Sequence, residues 1–193
     1  SVAATTLDTA LTAGVRLVGN LTVTGIASGS ETSALTAYTT AKTGATTNTL
    51  TASDSNWSVA AATLDTALAA GVQLAGNLTV TGISTETNAS TTYSKTATGA
   101  SSVMLTASDG NWSAAVSALD TDLGNDIKYA GALTVTDIAT GDKVAALTGY
   151  TTAKTGATTN TLTADGTWSL AVGALTTALG DGVRLAGALT VTG

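Results

Sequence analysis

The chain repeats itself, and this limits its architecture more than any other feature. Copies opening at Ser1, Ser58, Ser113 and Ser169 begin SVAATTLDTALTAGVRLVGNLTVTG, SVAAATLDTALAAGVQLAGNLTVTG, SAAVSALDTDLGNDIKYAGALTVTD and SLAVGALTTALGDGVRLAGALTVTG. They divide the 193 residues into 1–57, 58–112, 113–168 and a shortened 169–193, a period of about 56 residues. The second half of the copy recurs too. Residues 38–52 and 150–164 are the same segment, YTTAKTGATTNTLTA, and a diverged version begins at Tyr93.

Each copy can be parsed by its apolar period. From Trp57, residues Ala61, Leu64 and Leu68 follow helical spacing, which predicts an amphipathic helix of about 13 residues. Asn56, Asn111 and Thr167 stand where side chains cap first-turn amides, with Asp54, Asp109 and Asp165 just upstream. Gly14, Gly71 and Gly182 mark the expected helix ends.

The period then becomes two. Val72, Leu74, Leu78 and Val80 point one way and Gln73, Ala75, Asn77, Thr79 and Thr81 the other, as in a half-buried strand. The matching inward residues are Val15, Leu17, Leu21 and Val23, then Ile127, Tyr129, Leu133 and Val135, then Val183, Leu185, Leu189 and Val191. Gly19, Gly76, Gly131 and Gly187 interrupt the stretch, as a bulge in a bent strand or as the first position of a type II′ turn; the bent strand is preferred. A variable Ser-, Thr- and Glu-rich linker reads as a surface loop. From Tyr38, Tyr93 or Tyr150 to the next Trp, two Thr-rich strands are expected, joined at Thr43-Gly44, Thr98-Gly99 or Thr155-Gly156.

The expected fold is therefore α+β and β-dominated, a solenoid-like tandem array whose unit is one short helix plus three or four short strands. One helix on one narrow sheet cannot bury itself, so neighbouring copies must share a core.

Composition narrows the chemistry. The chain has no His, Cys, Pro or Phe, and charged residues are 10% of it, against roughly 25% in an average soluble domain. The common general bases, thiol nucleophiles and transition-metal ligands are thus missing. With two Glu, Glu31 and Glu86, neither a paired-glutamate site nor a Ser-His-Asp arrangement can be assembled, and an enzyme is not expected. Seven basic against 13 acidic residues give a net charge of −6, which argues against nucleic acid and anionic lipid. No apolar run approaches the roughly 20 residues of a membrane span, and no basic, apolar leader opens the sequence, so a mature protein or an excised fragment is expected.

Five residues are the metal candidates. Asp54, Asn56, Asp109, Asn111 and Asp165 carry hard oxygens suited to calcium, the one cofactor considered, although helix capping is preferred for them. Asp8, Asp65 and Asp120 fall in mid-helix, where they do not complete such a site. Thr22/Thr24, Thr79/Thr81, Thr134/Thr136 and Thr190/Thr192 have the spacing of an ice-matching face, but one pair per copy leaves adjacent strands unsupplied. Asn20, Asn56, Asn77, Asn88 and Asn111 lie in glycosylation sequons. Trp57, Trp112 and Trp168 are expected as core wedges rather than a sugar-stacking row. Tyr38, Tyr93 and Tyr150 are preferred in the core as well, with a contact surface as the lesser alternative. Arg16, Lys128 and Arg184 share one outward position, held by Gln73 in the second copy, where solvated charges discourage stray strand pairing.

The segments NWSVAAATLDTALAAG and GNLTVTG, with the Cys-free acidic composition, resemble the tandem units of large bacterial surface proteins such as adhesins, surface-layer proteins and filament subunits. GNLTVTG also resembles segments of phage tail fibres. The resemblance implies a location outside the cell or on its surface, and a stalk, lattice or filament that works through packing of its own units. A binding module for a glycan, calcium or ice is the alternative. Both termini fall in helix-strand halves, so either head-to-tail association between chains or a cut through a longer array is expected.

Overall fold

The computed structural model describes residues 1–27, 29–84 and 92–193; the sequon at Asn88 lies outside them. The protein is α+β, with 35% helix, 43% strand and a mainly parallel sheet of eight strands. Two compact units are distinguished, Ser1–Ile83 with Thr91–Val103, and Ser84–Ser90 with Met104–Gly193.

The first unit contains β1 (Val2–Ala3), α1 (Ala4–Thr12), β2 (Asn20–Ile26), α2 (Glu31–Ala37), α3 (Thr40–Thr43), β3 (Thr47–Ala60), α4 (Ala61–Ala69), β4 (Val72–Ile83) and α5 (Lys95–Thr98). Its strands pair in chain order and all in parallel, with Val2 beside Val23, Val23 beside Leu50, and Leu50 beside Leu74. A parallel neighbour can be reached only by a crossover, and here helices make each one. Inward residues Leu21, Val23, Leu50, Leu74, Leu78 and Val80 are buried together with the helical Leu7, Leu35 and Leu64. Outward residues such as Thr22, Thr49 and Thr79 stay partly exposed. The core therefore sits between one face of the sheet and the helices.

Next comes β5 (Ser102–Ala115). The second unit continues with α6 (Val116–Gly124), β6 (Ile127–Ile138), a 3₁₀ turn at Thr140–Asp142, α7 (Lys143–Gly149), α8 (Thr152–Thr155), β7 (Thr159–Ala164), β8 (Trp168–Ala171), α9 (Val172–Gly180), β9 (Val183–Ala186) and β10 (Leu189–Thr192). Leu133 pairs with Asn160 and Leu162 with Leu185, while β10 pairs with β8 in a separate two-stranded ladder.

Several local expectations hold. Helices α1, α4 and α9 are followed by left-handed Gly14, Gly71 and Gly182. The stretch is one continuous strand through Gly76 and through Gly131, but not in the first and last copies, where β2 begins only after Gly19 and Gly187 separates β9 from β10. Others are corrected. The helices begin at Ala61, Val116 and Val172, not at the Trp residues, and their N-caps Ala60, Ala115 and Ala171 use no side chain. Asn56 and Asn111 are therefore strand residues rather than caps, and Thr167 lies just before β8. The reason is that Trp57 and Val59 alternate inward and pair with Leu78 and Val80, so sheet formation outweighs the capping signal.

The expected hairpins are corrected as well. Thr40–Thr43, Lys95–Thr98 and Thr152–Thr155 are single helical turns capped by left-handed Gly44, Gly99 and Gly156, each leading into one strand. The linker holds helices at Glu31–Ala37 and Lys143–Gly149, drawn inward by Leu35 with Tyr38 and by Leu147 with Tyr150. A copy thus has several short helices and fewer, longer strands than the pattern predicts. Not every inward residue is covered either: Val15, Leu189 and Val191 are exposed, and among the described residues β10 is paired with β8 alone.

Candidate functional site

The five metal candidates occupy turns that bulge from the strands. Asp54 Oδ1 accepts the Asn56 amide N–H at 3.0 Å, and Asn56 Nδ2 donates to the Asp54 carbonyl at 2.9 Å. Asp109 and Asn111 repeat this at 2.9 and 3.1 Å. The residue between them is left-handed, Ser55 in one turn and Gly110 in the other, as is Gly166 between Asp165 and Thr167. The structure brings each Asp and Asn together, but among the described residues no group of three or more acidic, His or Cys side chains forms a metal-holding cluster.

These turns fit against the next strand. Register shifts between Thr51 and Asn56, where four residues of β3 face Gly76 alone. A Cβ on Gly76 would lie 2.4 Å from the Ser55 carbonyl oxygen, and one on Gly131 would lie 2.2 Å from that of Gly110. Beside each turn a buried Trp donates its indole N–H across the same junction: Trp57 to Ala75 O at 3.1 Å, Trp112 to Ala130 O at 3.2 Å and Trp168 to Ala186 O at 3.1 Å. The Trp residues are core wedges, as their pattern predicts, and they also clasp one copy to the next. The constant separation of 18 positions between each Trp and its acceptor is the sequence signal for this clasp.

A second clasp was not evident in the motifs. The hydroxyls of Tyr38, Tyr93 and Tyr150 donate to the carboxylates of Asp8, Asp65 and Asp120, with the Tyr93 bond at 2.7 Å. All three rings are buried, which moves these Tyr residues away from the contact-surface reading. Burial first, then the hydrogen bond and charge of the Asp, hold each phenol well above its ordinary pKa. Tyr129 in the third copy is held up in the same way beside buried Asp122, while Trp112 meets its ring edge-on at 4.8 Å.

The outward sheet face carries hydroxyls and a few cations. Thr22 lies directly beside Thr49, and Thr134 beside Thr161, so adjacent strands do supply Thr pairs, contrary to the expectation from spacing. The next neighbours are Gln73 and Arg184, which confine each hydroxyl patch to two strands. Lys128 Nζ donates to the Lys154 carbonyl, near the end of a one-turn helix. At the sequons, the Nδ2 atoms of Asn56, Asn77 and Asn111 are engaged as donors within the protein.

Shallow grooves separate successive helices. One of about 360 Å³ is lined by Val144, Leu147, Thr148, Lys154, Ala174 and Thr177, and another of about 480 Å³ by Leu35, Thr39, Lys42, Ala62 and Thr66. The chain matches no protein-family profile, no curated protein and no solved structure. The most developed polar sites among the described residues are thus the two repeated clasps, which join one part of the chain to another.

Proposed function

We propose that this chain is an extracellular structural repeat protein, a solenoid whose half-copies are successive turns and whose task is mechanical. In this reading it is the body of a stalk, surface lattice or filament, with its own kind as principal partner and no catalytic role. One observation carries the proposal. The indole N–H of each Trp is spent on the backbone of the following copy, and the hydroxyls of Tyr38, Tyr93 and Tyr150 on an Asp of the preceding half-copy. Strands β3, β5 and β8 each run across the boundary between one copy and the next, which favours copies that act together over copies that act as separate domains.

Electron microscopy of the purified protein, with and without a calcium chelator, tests the reading. Ordered polymers are expected in both conditions. A species that stays monomeric at all concentrations would remove the self-assembling form of the proposal, and polymers that dissolve on chelation would restore a role for the Asp-x-Asn turns.

A further inference from the structure

We infer that the first and third copies each contain a strap poised to open, made of a one-turn helix and the strand start that follows it, and that the equivalent strap of the second copy is held shut. Each strap closes over the edge of the strand before it. Thr46 N–H donates to Gly19 O at 2.7 Å, Ser101 N–H to Gly76 O at 2.7 Å and Thr158 N–H to Gly131 O at 2.6 Å. What differs between copies is how the one-turn helix is anchored.

In the first and third copies the anchor is a buried amide. Asn48 and Asn160 are 0% exposed, and each lies in the ladder between apolar neighbours, Leu21 and Val72 for one, Leu133 and Val183 for the other. Thr43, which ends α3, has its hydroxyl 3.2 Å from Asn48 Oδ1 and 3.2 Å from Thr39 O. Thr155, which ends α8, stands 3.0 Å from Asn160 Oδ1 and 3.3 Å from Thr151 O. A hydroxyl has one hydrogen, so the two acceptors must share it. The Nδ2 atoms of Asn48 and Asn160 are buried and reach no acceptor in the protein. A donor held in that state costs free energy that hydration returns once the strap lifts, so the closed form is penalised against the open one.

The second copy carries no such penalty. Val103 stands where the others have Asn and is 0% exposed, so packing does not require the amide. Helix α5 is anchored at its start, where Ser94 Oγ accepts the Ala97 N–H at 3.3 Å, whereas α3 and α8 have no side-chain cap. When the third copy's strap lifts, Gly131 O loses both the amide and the hydroxyl of Thr158, which leaves a strand edge able to pair with an extended segment.

Hydrogen exchange of the full chain, followed by mass spectrometry, tests the inference. Residues 46–50 and 158–162 should show protection factors at least ~10-fold lower than residues 101–105. Asn48→Val with Asn160→Val should raise the first two to the level of the third, and Val103→Asn should lower the third by a similar factor, each change confined to its own strap. The opposite directions of these variants separate the effect from general disruption, and the valines are the second copy's own residue at that place. Equal protection of all three straps in the parent overturns the inference, as does a valine variant that changes nothing. A change spread evenly over every strand also overturns it, since the amides would then tune only global stability.

Discussion

Asp122 and Tyr129 of the third copy replace the Ala67 and Leu74 of the second, and the structure shows why they changed together. Both are buried, and the phenol donates to the carboxylate. Tyr129→Leu alone removes that donor from a buried acid and should cost about 3 kcal/mol. The double variant Asp122→Ala/Tyr129→Leu restores the second copy's apolar pair and should return stability to within about 1.5 kcal/mol of the parent, since well-packed apolar replacement of a buried polar pair is tolerated. A double-mutant cycle by urea unfolding measures the coupling, and additive losses would refute it. Comparison of copies makes other residues legible too. The left-handed Ser55, Asp126 and Asp137 stand where aligned copies have Gly110, Gly71 and Gly82. The strained backbone positions could be read from the sequence even though their neighbours could not.

Elements were legible where one periodicity ruled and illegible where two signals competed. The inward alternation of β4 and β6 follows directly from Val-x-Leu and Leu-x-Val, since side chains on a strand alternate in direction. The Thr-Gly pairs misled because left-handed glycine suits a hairpin turn and a helix C-cap equally. Buried Thr43 decides for the helix, with its hydroxyl bonded to Thr39 O at 3.2 Å and to Asn48 Oδ1 at 3.2 Å. The glycine at the strand bend has a sharper requirement. Gly131→Ala would drive a Cβ into the Gly110 carbonyl and should cost roughly 3 kcal/mol or more. Gly19→Ala meets nothing within 4 Å and should cost only the left-handed strain, about 1 to 2 kcal/mol. Equal losses in chemical denaturation would count against the close approach of turn and strand.

For the whole molecule, the four tyrosines set a response to pH. Each phenol is held above its ordinary value by burial and then by an Asp. The unfolded chain releases these protons near pH 10 while the folded chain keeps them, so above that point the folded state binds more protons. Stability is therefore complete below about pH 10 and falls as pH rises toward the folded values, by up to about 1.4 kcal/mol per pH unit for each tyrosine. Melting temperatures between pH 8 and 11.5 should show the fall, and a Tyr38→Phe/Tyr93→Phe/Tyr150→Phe variant should flatten it; an unchanged slope would place the alkaline sensitivity elsewhere. Sequence order alone determined the repetition, the alternation of helix with strand and the identity of most inward residues, because those are local periods written within a few residues. Tertiary structure decided where helices begin, which Asp receives each Tyr and why Gly76 carries no side chain. Those outcomes depend on groups 18 to 30 residues apart, which meet only after parallel strands have fixed their register.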